Sequence, residues 1–297
     1  MNEQTVPRTP PRRVGVGFHP SLDGAADLAR RLAAQVEAAG IDVWLAPVGW
    51  NQTDQTPHRE IADTELLVCV GGDGTVLHAS GIAAGTGASL LGVRMGRLGF
   101  LSECTEAEAE DVLARALAGE GRVERRAMVR AAVAGHEAAH ALNDVVVGRG
   151  GLGRTISAAV RVDGVLLAEY RADAVIISTA TGSTGYALSV GGPILPPLSR
   201  DLVLVPVAPH LTKANPLVLP AEADLRLTIE RGFDAVMSVD GATEQPLEAG
   251  AELRLGVSEH TVGFLRLGPT SHFYSTLADR LGWLRADHAV RSSPSAD

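Results

Sequence analysis

The stretch Leu66-Leu67-Val68-Cys69-Val70-Gly71-Gly72-Asp73-Gly74-Thr75-Val76-Leu77 confines the first half of this chain to few folds. Leu66 to Val70 make an uninterrupted apolar run, β-branched at Val68 and Val70, which reads as a strand buried on both faces. Gly71, Gly72, Asp73 and Gly74 break it, and a helix-compatible run begins at Thr75. A strand that ends in a glycine turn and feeds a helix aims backbone N–H groups outward at a positive helix end, a place suited to phosphate. The glycines permit positive φ and close approach of a ligand to the main chain. A carboxylate at Asp73 would repel phosphates unless it serves them. Its residue type fits either a Mg2+ ligand or the acceptor of a proton from an attacking hydroxyl. A tight turn with a capping Asp or Thr would use the same residues.

The flanking pattern extends this unit. Arg13–Phe18 reads as a first strand and His19-Pro20 as a breaker. From Leu22 to Ala39 the apolar residues Ala26, Leu28, Leu32 and Val36 recur at helical spacing, and Gly40 stops the helix. Ile41–Leu45 is a second strand, 47–60 a polar loop, and Ser89–Val93 a further strand running into Arg94-Met95-Gly96-Arg97-Leu98-Gly99-Phe100-Leu101. Thr105 with Glu108 has the spacing of a capping box for a helix to Ala118. Alternating strands and helices predict an α/β unit with a parallel sheet, whose ligands sit beyond the carboxyl ends of the strands. Both glycine stretches, 71–74 and 96–99, follow a strand and are placed to border one crevice.

At Gly119-Glu120-Gly121 the grammar changes. Short β-branched or alternating runs follow at Val129–Ala134, Ala141–Val147, Ala158–Val162, Ala174–Ile177, Leu202–Val207, Leu225–Ile229, Ala235–Val239 and Leu253–Val257. Asp163-Gly164 and Asp240-Gly241 supply turn signals. This is the pattern of an all-β sandwich or barrel. One hydroxyl-rich glycine loop interrupts it, Thr179-Ala180-Thr181-Gly182-Ser183-Thr184-Gly185-Tyr186-Ala187-Leu188-Ser189. His272–Leu284 reads as a closing helix with Phe273, Leu277 and Leu281 on one face, between loose tails at 1–12 and 286–297. The division expected is an α/β domain over 1–121, completed by 267–297, and an all-β sandwich over 122–266.

Composition narrows the function. The 297 residues are 45% hydrophobic, enough for two cores, and the net charge of −9 with no dense basic run argues against a nucleic-acid partner. Lys213 is the only lysine, so the phosphate loop G-x-x-x-x-G-K-[ST] is absent, and G-x-G-x-x-G is not matched at 71–74. Cys69 and Cys104 make neither a disulfide framework nor a metal cluster, which fits a reducing cytosol. The polar, proline-rich N-terminus is not a secretory signal, and no apolar run reaches membrane-spanning length. A cytoplasmic protein without a membrane partner is expected.

Taken in order, Gly71-Gly72-Asp73-Gly74-Thr75, Leu98-Gly99-Phe100-Leu101, Leu142-Asn143-Asp144, Thr181-Gly182-Ser183-Thr184-Gly185-Tyr186, Gly191-Gly192-Pro193, Pro209-His210 and Pro216-Leu217-Val218-Leu219-Pro220 resemble the NAD kinase family. The likeness runs from about residue 13 to residue 283. Lipid kinases and phosphofructokinases share forms of the GGDG element, whereas the TGST loop followed by GGP is more specific. The resemblance implies a Rossmann-like α/β N-terminal domain, an all-β second domain and a C-terminal segment that returns to the first. It also implies transfer of the γ-phosphate of ATP, with Mg2+, to the 2′-hydroxyl of the adenosine ribose of NAD, giving NADP, in a homodimer or homotetramer.

On this likeness Asp73 is the general base, and Gly72, Gly74 and Thr75 hold phosphates through main-chain N–H groups. Asn143 and Asp144 grip adenine and ribose hydroxyls, while Thr184, Tyr186 and Ser189 contact the dinucleotide. Asp173 lies near the nicotinamide end, Phe100 packs on the nucleotide, and no protein-built metal site is expected. Several positions depart from the family pattern: Asp144 for Glu, Arg94 for Asn, Gly185 for Ala, and His78 and Asn215 for arginines. A kinase of another acceptor, lipid or nucleoside, and a non-catalytic dinucleotide-binding regulator are the alternatives.

Overall fold

The computed structural model describes residues 9–49, 56–96, 99–151, 155–210, 215–230 and 235–283. Most of the expected tails, Lys213, Arg97, Leu98 and Leu284 lie outside the described residues. The described residues fall into two compact units. One takes in those of Met1–Ala79, Ser89–Val123 and Leu265–Asp297, the other those of Ser80–Ala88 and Glu124–Phe264.

In the first unit β1 (Arg13–Phe18), β2 (Asp42–Pro47), β3 (Leu66–Gly71), β4 (Ser89–Arg94) and the two-residue β5 (Cys104–Thr105) form a parallel sheet in the order β2-β1-β3-β4-β5. Among the described residues, four α-helices belong to this stretch of chain: α1 (Ala25–Ala38), α2 (Thr56–Glu60), α3 (Asp73–Ala83) and α4 (Ala109–Leu117). α1 buries Leu28, Leu32 and Val36, and α4 buries Leu113, against Val14, Val16, Val68 and Val93 on one sheet face. On the opposite face Gly15 and Gly17 lack the side chains that would collide with Trp44 and Val48. Trp44 Nε1 donates to Thr64 Oγ1 at 2.8 Å, so the buried indole keeps its hydrogen bond. The chain steps from β1 to β2 on one side and then crosses back to β3 on the other, which makes the carboxyl ends of β1 and β3 the switch point of the sheet.

The second unit is a two-sheet sandwich. β6 (Arg122–Val133) enters it, followed by β7 (Ala139–Ala141), β8 (Asp144–Gly148), β9 (Ile156–Val162), β10 (Val165–Ala172) and β11 (Ala174–Ser178). After the short helix α5 (Tyr186–Ser189) come β12 (Leu202–Val207), β13 (Leu217–Leu219), β14 (Leu225–Ile229), β15 (Ala235–Val239), β16 (Thr243–Leu247) and β17 (Glu252–Arg266). One antiparallel layer runs β10-β9-β14-β17, with β6 on β17 and β7 on β6. The other runs β13-β12-β11-β8-β15-β16, also antiparallel. Val145, Val147, Ile156, Val160, Ile177 and Leu227 lie in the core between them. The helix α6 (His272–Leu281) follows, in the first unit, and ends at Gly282, whose φ of 63° is left-handed.

The α/β and all-β reading holds, with local departures. α3 starts at Asp73, two residues before the expected Thr75, because the Gly72 carbonyl already accepts the N–H groups of Thr75 and Val76. The region read as a loop over 47–60 contains α2 and leads into a 3-10 turn at Ile61–Asp63. α4 starts at Ala109, and Glu108 reaches back to the Thr105 N–H at 2.9 Å and hydroxyl at 2.7 Å, so that turn precedes the helix rather than opening it. The run Ala141–Val147 is split at Leu142-Asn143, where the backbone leaves the ladder for a carboxylate. β10, β13 and β16 were not among the expected strands, and β17 extends well beyond Leu253–Val257.

Gly15→Ala is expected to lower stability by about 1–3 kcal/mol, since the new methyl must displace Trp44 from its bond to Thr64. A urea titration measures this; an unchanged midpoint would mean that the indole has room to move.

Candidate functional site

At the carboxyl end of β3 the chain turns through Gly71 and Gly72 directly into α3. Thr75 is buried against Gly71, and its Oγ1 accepts the Gly72 N–H at 3.4 Å. The Thr75 N–H goes to the Gly72 carbonyl at 3.0 Å. Of the groups expected to cradle phosphate, Gly72 and Thr75 therefore spend their N–H groups on the turn itself. The N–H groups of Asp73 and Gly74, the first two of the helix, have no acceptor within the helical ladder. Beyond its chain neighbours and the helix's own backbone, no atom of the described residues stands within 4 Å of where a Gly74 side chain would begin.

The Asp73 side chain is held from three directions. The Phe100 N–H donates to its Oδ2 at 3.2 Å and the Ser102 hydroxyl to its Oδ1 at 3.4 Å. The Arg94 guanidinium stands 3.4 Å from Oδ1 and that of Arg280, from α6, 3.5 Å from Oδ2. Gly99 passes so close that any Cβ there would overlap the carboxylate. The segment making these contacts is fastened by the end of β17. Arg266 Nη1 donates to the Ser102 carbonyl at 3.0 Å and pairs with Glu103 Oε2 at 3.3 Å, and Nη2 donates to the Phe100 carbonyl at 3.4 Å. Glu103 Oε1 accepts the N–H groups of Leu267 and Gly268 at 2.7 and 2.8 Å. Phe100 is half-buried, with the Arg280 guanidinium 4.9 Å above its ring and Phe273 beside it. Burial first, and then His58, lowers the pKa of His78, so this imidazole is uncharged near neutral pH and does not replace an arginine. Arg280, Arg266, Ser102 and Glu103 were missed by sequence reasoning; none sits in a motif, and only folding brings Arg280 and Ser102 to Asp73, and Arg266 with Glu103 to the segment beside it.

In the second unit the turn at Leu142-Asn143 is built on Asp240. Its carboxylate accepts three successive N–H groups, from Leu142 at 2.8 Å, Asn143 at 2.7 Å and Asp144 at 3.1 Å. Asp240 itself has φ 51° at the end of β15. The Asp240-Gly241 turn signal was legible; its service to a distant turn was not. Asp144 is buried, and its carboxyl is pushed up to about 7, by desolvation first and by Asp240 second.

The loop after β11 lies on this turn. Thr179 donates its hydroxyl to the Leu142 carbonyl at 2.5 Å and its N–H to the Asn143 carbonyl at 2.9 Å. Gly182 is packed so tightly on the Asn143 carbonyl that a Cβ would overlap it. The Thr184 hydroxyl bonds the Thr181 carbonyl at 3.1 Å, and that of Ser189 the Tyr186 carbonyl at 2.7 Å. Tyr186 is 45% exposed, so its ring is available to a ligand rather than spent in the core. Asn143, Asp144 and the 179–189 loop thus come together. Asp173 does not join them: Ser178 pairs with Asp144 and Ala174 with Gly148, which puts Asp173 at the far end of the ladder, beside Arg149 at 3.6 Å. Along the strand that is about 16 Å from Ser178.

A family model described as the ATP-NAD kinase N-terminal domain matches residues 25–121, and one described as the ATP-NAD kinase C-terminal domain matches 142–267. The NAD kinase of Dehalococcoides mccartyi is 35% identical over 275 residues, covering 91% of this chain and 96% of that protein. The NAD kinase of Chloroflexus aurantiacus is 37% identical over 273 residues, covering 91% and 98%. Among solved structures, an NAD kinase from Archaeoglobus fulgidus in complex with ATP superposes with a TM-score of 0.74 at 26% identity, over 92% of this chain and all of that one. Yeast NADH kinase complexed with NADH gives 0.83 over 94% and 90%, and at 24% identity speaks for the fold alone.

Folded Asp144 keeps its proton to about pH 7, while the unfolded carboxyl releases it near 3.8. Its contribution to stability is therefore complete below about pH 4 and lost as the pH rises to about 7. Asp144→Asn is expected to flatten that decline in urea midpoints measured between pH 4 and 7.5. Parallel curves for the two proteins would show that Asp144 is already ionised when folded.

Proposed function

The chain belongs to the NAD kinase family and, as a member, phosphorylates NAD at the expense of ATP; within that reaction we propose that Asp73 accepts the proton of the 2′-hydroxyl of the adenosine ribose while the γ-phosphoryl group passes to that oxygen, giving NADP. The observation that carries this reading is the Asp73 carboxylate, fixed in the first turn of α3 at the carboxyl edge of a parallel sheet, with a guanidinium on either side. Phosphoryl transfer passes through a loose transition state that asks for alignment and charge compensation more than for a strong base. Asp73 meets the first need, because Phe100, Ser102 and Gly99 leave its side chain one position. Arg94 and Arg280 meet the second, since a guanidinium beside Asp73 can turn one N–H to a phosphoryl oxygen.

Main-chain N–H groups at Asp73 and Gly74 suit the phosphates of ATP. Mg2+ takes about six oxygens in near-octahedral array, mostly water and phosphate. One carboxylate already between two arginines is not such a cage, so the ion belongs with ATP and supplies charge neutralisation there. Asn143 and Asp144 hold the adenosine of NAD, a carboxyl protonated near neutrality being able to donate as well as accept. Tyr186 stacks on base or sugar, Thr184 and Ser189 border the same ligand, and Phe100 packs on the nucleotide. The match to both family domains and the retained Asp73 leave a lipid or nucleoside kinase, or a non-catalytic regulator, without support. The separation of Asp173 from Asn143 fits a homo-oligomer in which the two ends of β11 serve different copies. Val165, Leu166 and Leu167, exposed on the edge strand β10, offer apolar surface for such assembly. Two buried free thiols suit a cytoplasmic location.

Asp73→Asn is expected to lower kcat for NAD at least about a hundredfold with KM within a few-fold. Near-normal kcat would remove Asp73 from proton transfer. Tyr186→Ala is expected to raise KM for NAD roughly fivefold or more, the equivalent of about 1 kcal/mol of lost stacking; an unchanged KM would show that the ring does not touch the dinucleotide.

A further inference from the structure

Three side chains of the second unit to which no role is assigned above converge: His140 on β7, and Glu259 and His260 on β17. Their potential ligand atoms lie within 4.8 Å of one another, and the two imidazole rings are 4.6 Å apart between centroids. We propose that His140, Glu259 and His260 bind a borderline divalent transition-metal cation, zinc by preference, which ties β7 to β17.

The surroundings orient the ligands. The Ser258 hydroxyl meets His140 Nδ1 at 2.7 Å and also accepts the His260 N–H at 2.9 Å, so one buried serine fixes the His140 ring and leaves Nε2 for the ion. His260 turns its Nδ1 edge toward Gly85, which has φ 75° and lacks the Cβ that would crowd that ring. Its Nε2 accordingly faces Glu259 Oε1, 4.0 Å away. Zinc bonds of 2.0–2.2 Å in tetrahedral array require ligand atoms about 3.3–3.6 Å apart. An inward turn of roughly 1 Å by the exposed Glu259 and the half-exposed His260 closes the difference. The group in the way is Arg130, the partner of His140 across the β6–β7 ladder, whose Nε stands 3.9 Å from Glu259. That pair is exposed and worth little, so a cation of twice the charge displaces it readily.

Two imidazoles and one carboxylate select zinc-like ions over Mg2+ and Ca2+, which demand oxygen ligands. The site is thus distinct in chemistry from any ion carried by ATP. Sequence offers no signal for it: His140 stands 120 positions from His260, and neither lies in a metal-spacing motif.

Calorimetric titration of the full chain, stripped with a chelator and free of nucleotide, with zinc chloride alone is the test. The expected result is one zinc per chain with micromolar or tighter affinity, untouched by millimolar Mg2+. His140→Ala combined with His260→Ala should weaken it more than about tenfold, while His136→Ala, on a separate turn, leaves it intact. Cobalt in place of zinc should give a visible absorption band that the double variant lacks. Thermal melts in chelator check that the double variant folds. A wild-type chain that takes up no zinc, or a folded double variant that binds it equally well, overturns the proposal. Glu259→Gln gives a second reading, since a site that ignores this change is not the one described.

Discussion

Much of the first unit hangs on the buried guanidinium of Arg266. It lies under the Phe100, Leu101 and Ser102 carbonyls and pairs with Glu103, which in turn receives the N–H groups of Leu267 and Gly268. A buried ion pair is tolerable only when its remaining donors and acceptors are satisfied, and here backbone groups do that work. The consequence is directional. With its carbonyls turned toward Arg266, the 100–102 segment presents the Phe100 N–H and the Ser102 hydroxyl to Asp73. The chain thus returns from β17 to complete the surroundings of its own acidic residue.

Both units use the same device of backbone laid directly on a polar group. Gly99 lies on the Asp73 carboxylate and Gly182 on the Asn143 carbonyl, each where a methyl group would not fit. A flexible carboxylate samples many rotamers and loses entropy when a substrate arrives. One pinned by a close backbone and two guanidiniums has already lost it. The positive charge beside Asp73 comes from two distant parts of the chain, Arg94 at the end of β4 and Arg280 in the last helix.

What the sequence disclosed was local and periodic. The β3–glycine–α3 junction, the alternation of strands and helices, and the change of grammar near Gly121 are short-range signals, and they survive in the structure. Asp73, Asn143, Asp144 and Tyr186 stood out as candidates because they sit in motifs. Arg280, Arg266 and Asp240 were not, because each acts on a partner about 100 or more positions away and an isolated arginine or aspartate resembles any surface charge. The split of the run at Leu142-Asn143 was hidden for a related reason. Apolar pattern predicts a continuous strand, and only the Asp240 carboxylate gives those N–H groups a better destination. β10 escaped notice because Val165, Leu166 and Leu167 face water, contrary to the alternation that marks a half-buried strand.

The loop that carries Tyr186 is also a piece of packing. Ala180, Ala187 and Leu195 cover Ile176, Val203 and Val205 on the outer side of β11 and β12, and the Ser183 hydroxyl accepts the Leu195 N–H. Lifting this segment would wet a hydrophobic surface that the sandwich cannot cover otherwise. The loop that carries Tyr186 therefore has the stiffness of an interior strand rather than of a surface flap. Acceptor preference in such a scaffold has to change by exchanging side chains in place, because lengthening or shortening the segment would strip a cover from the sheet.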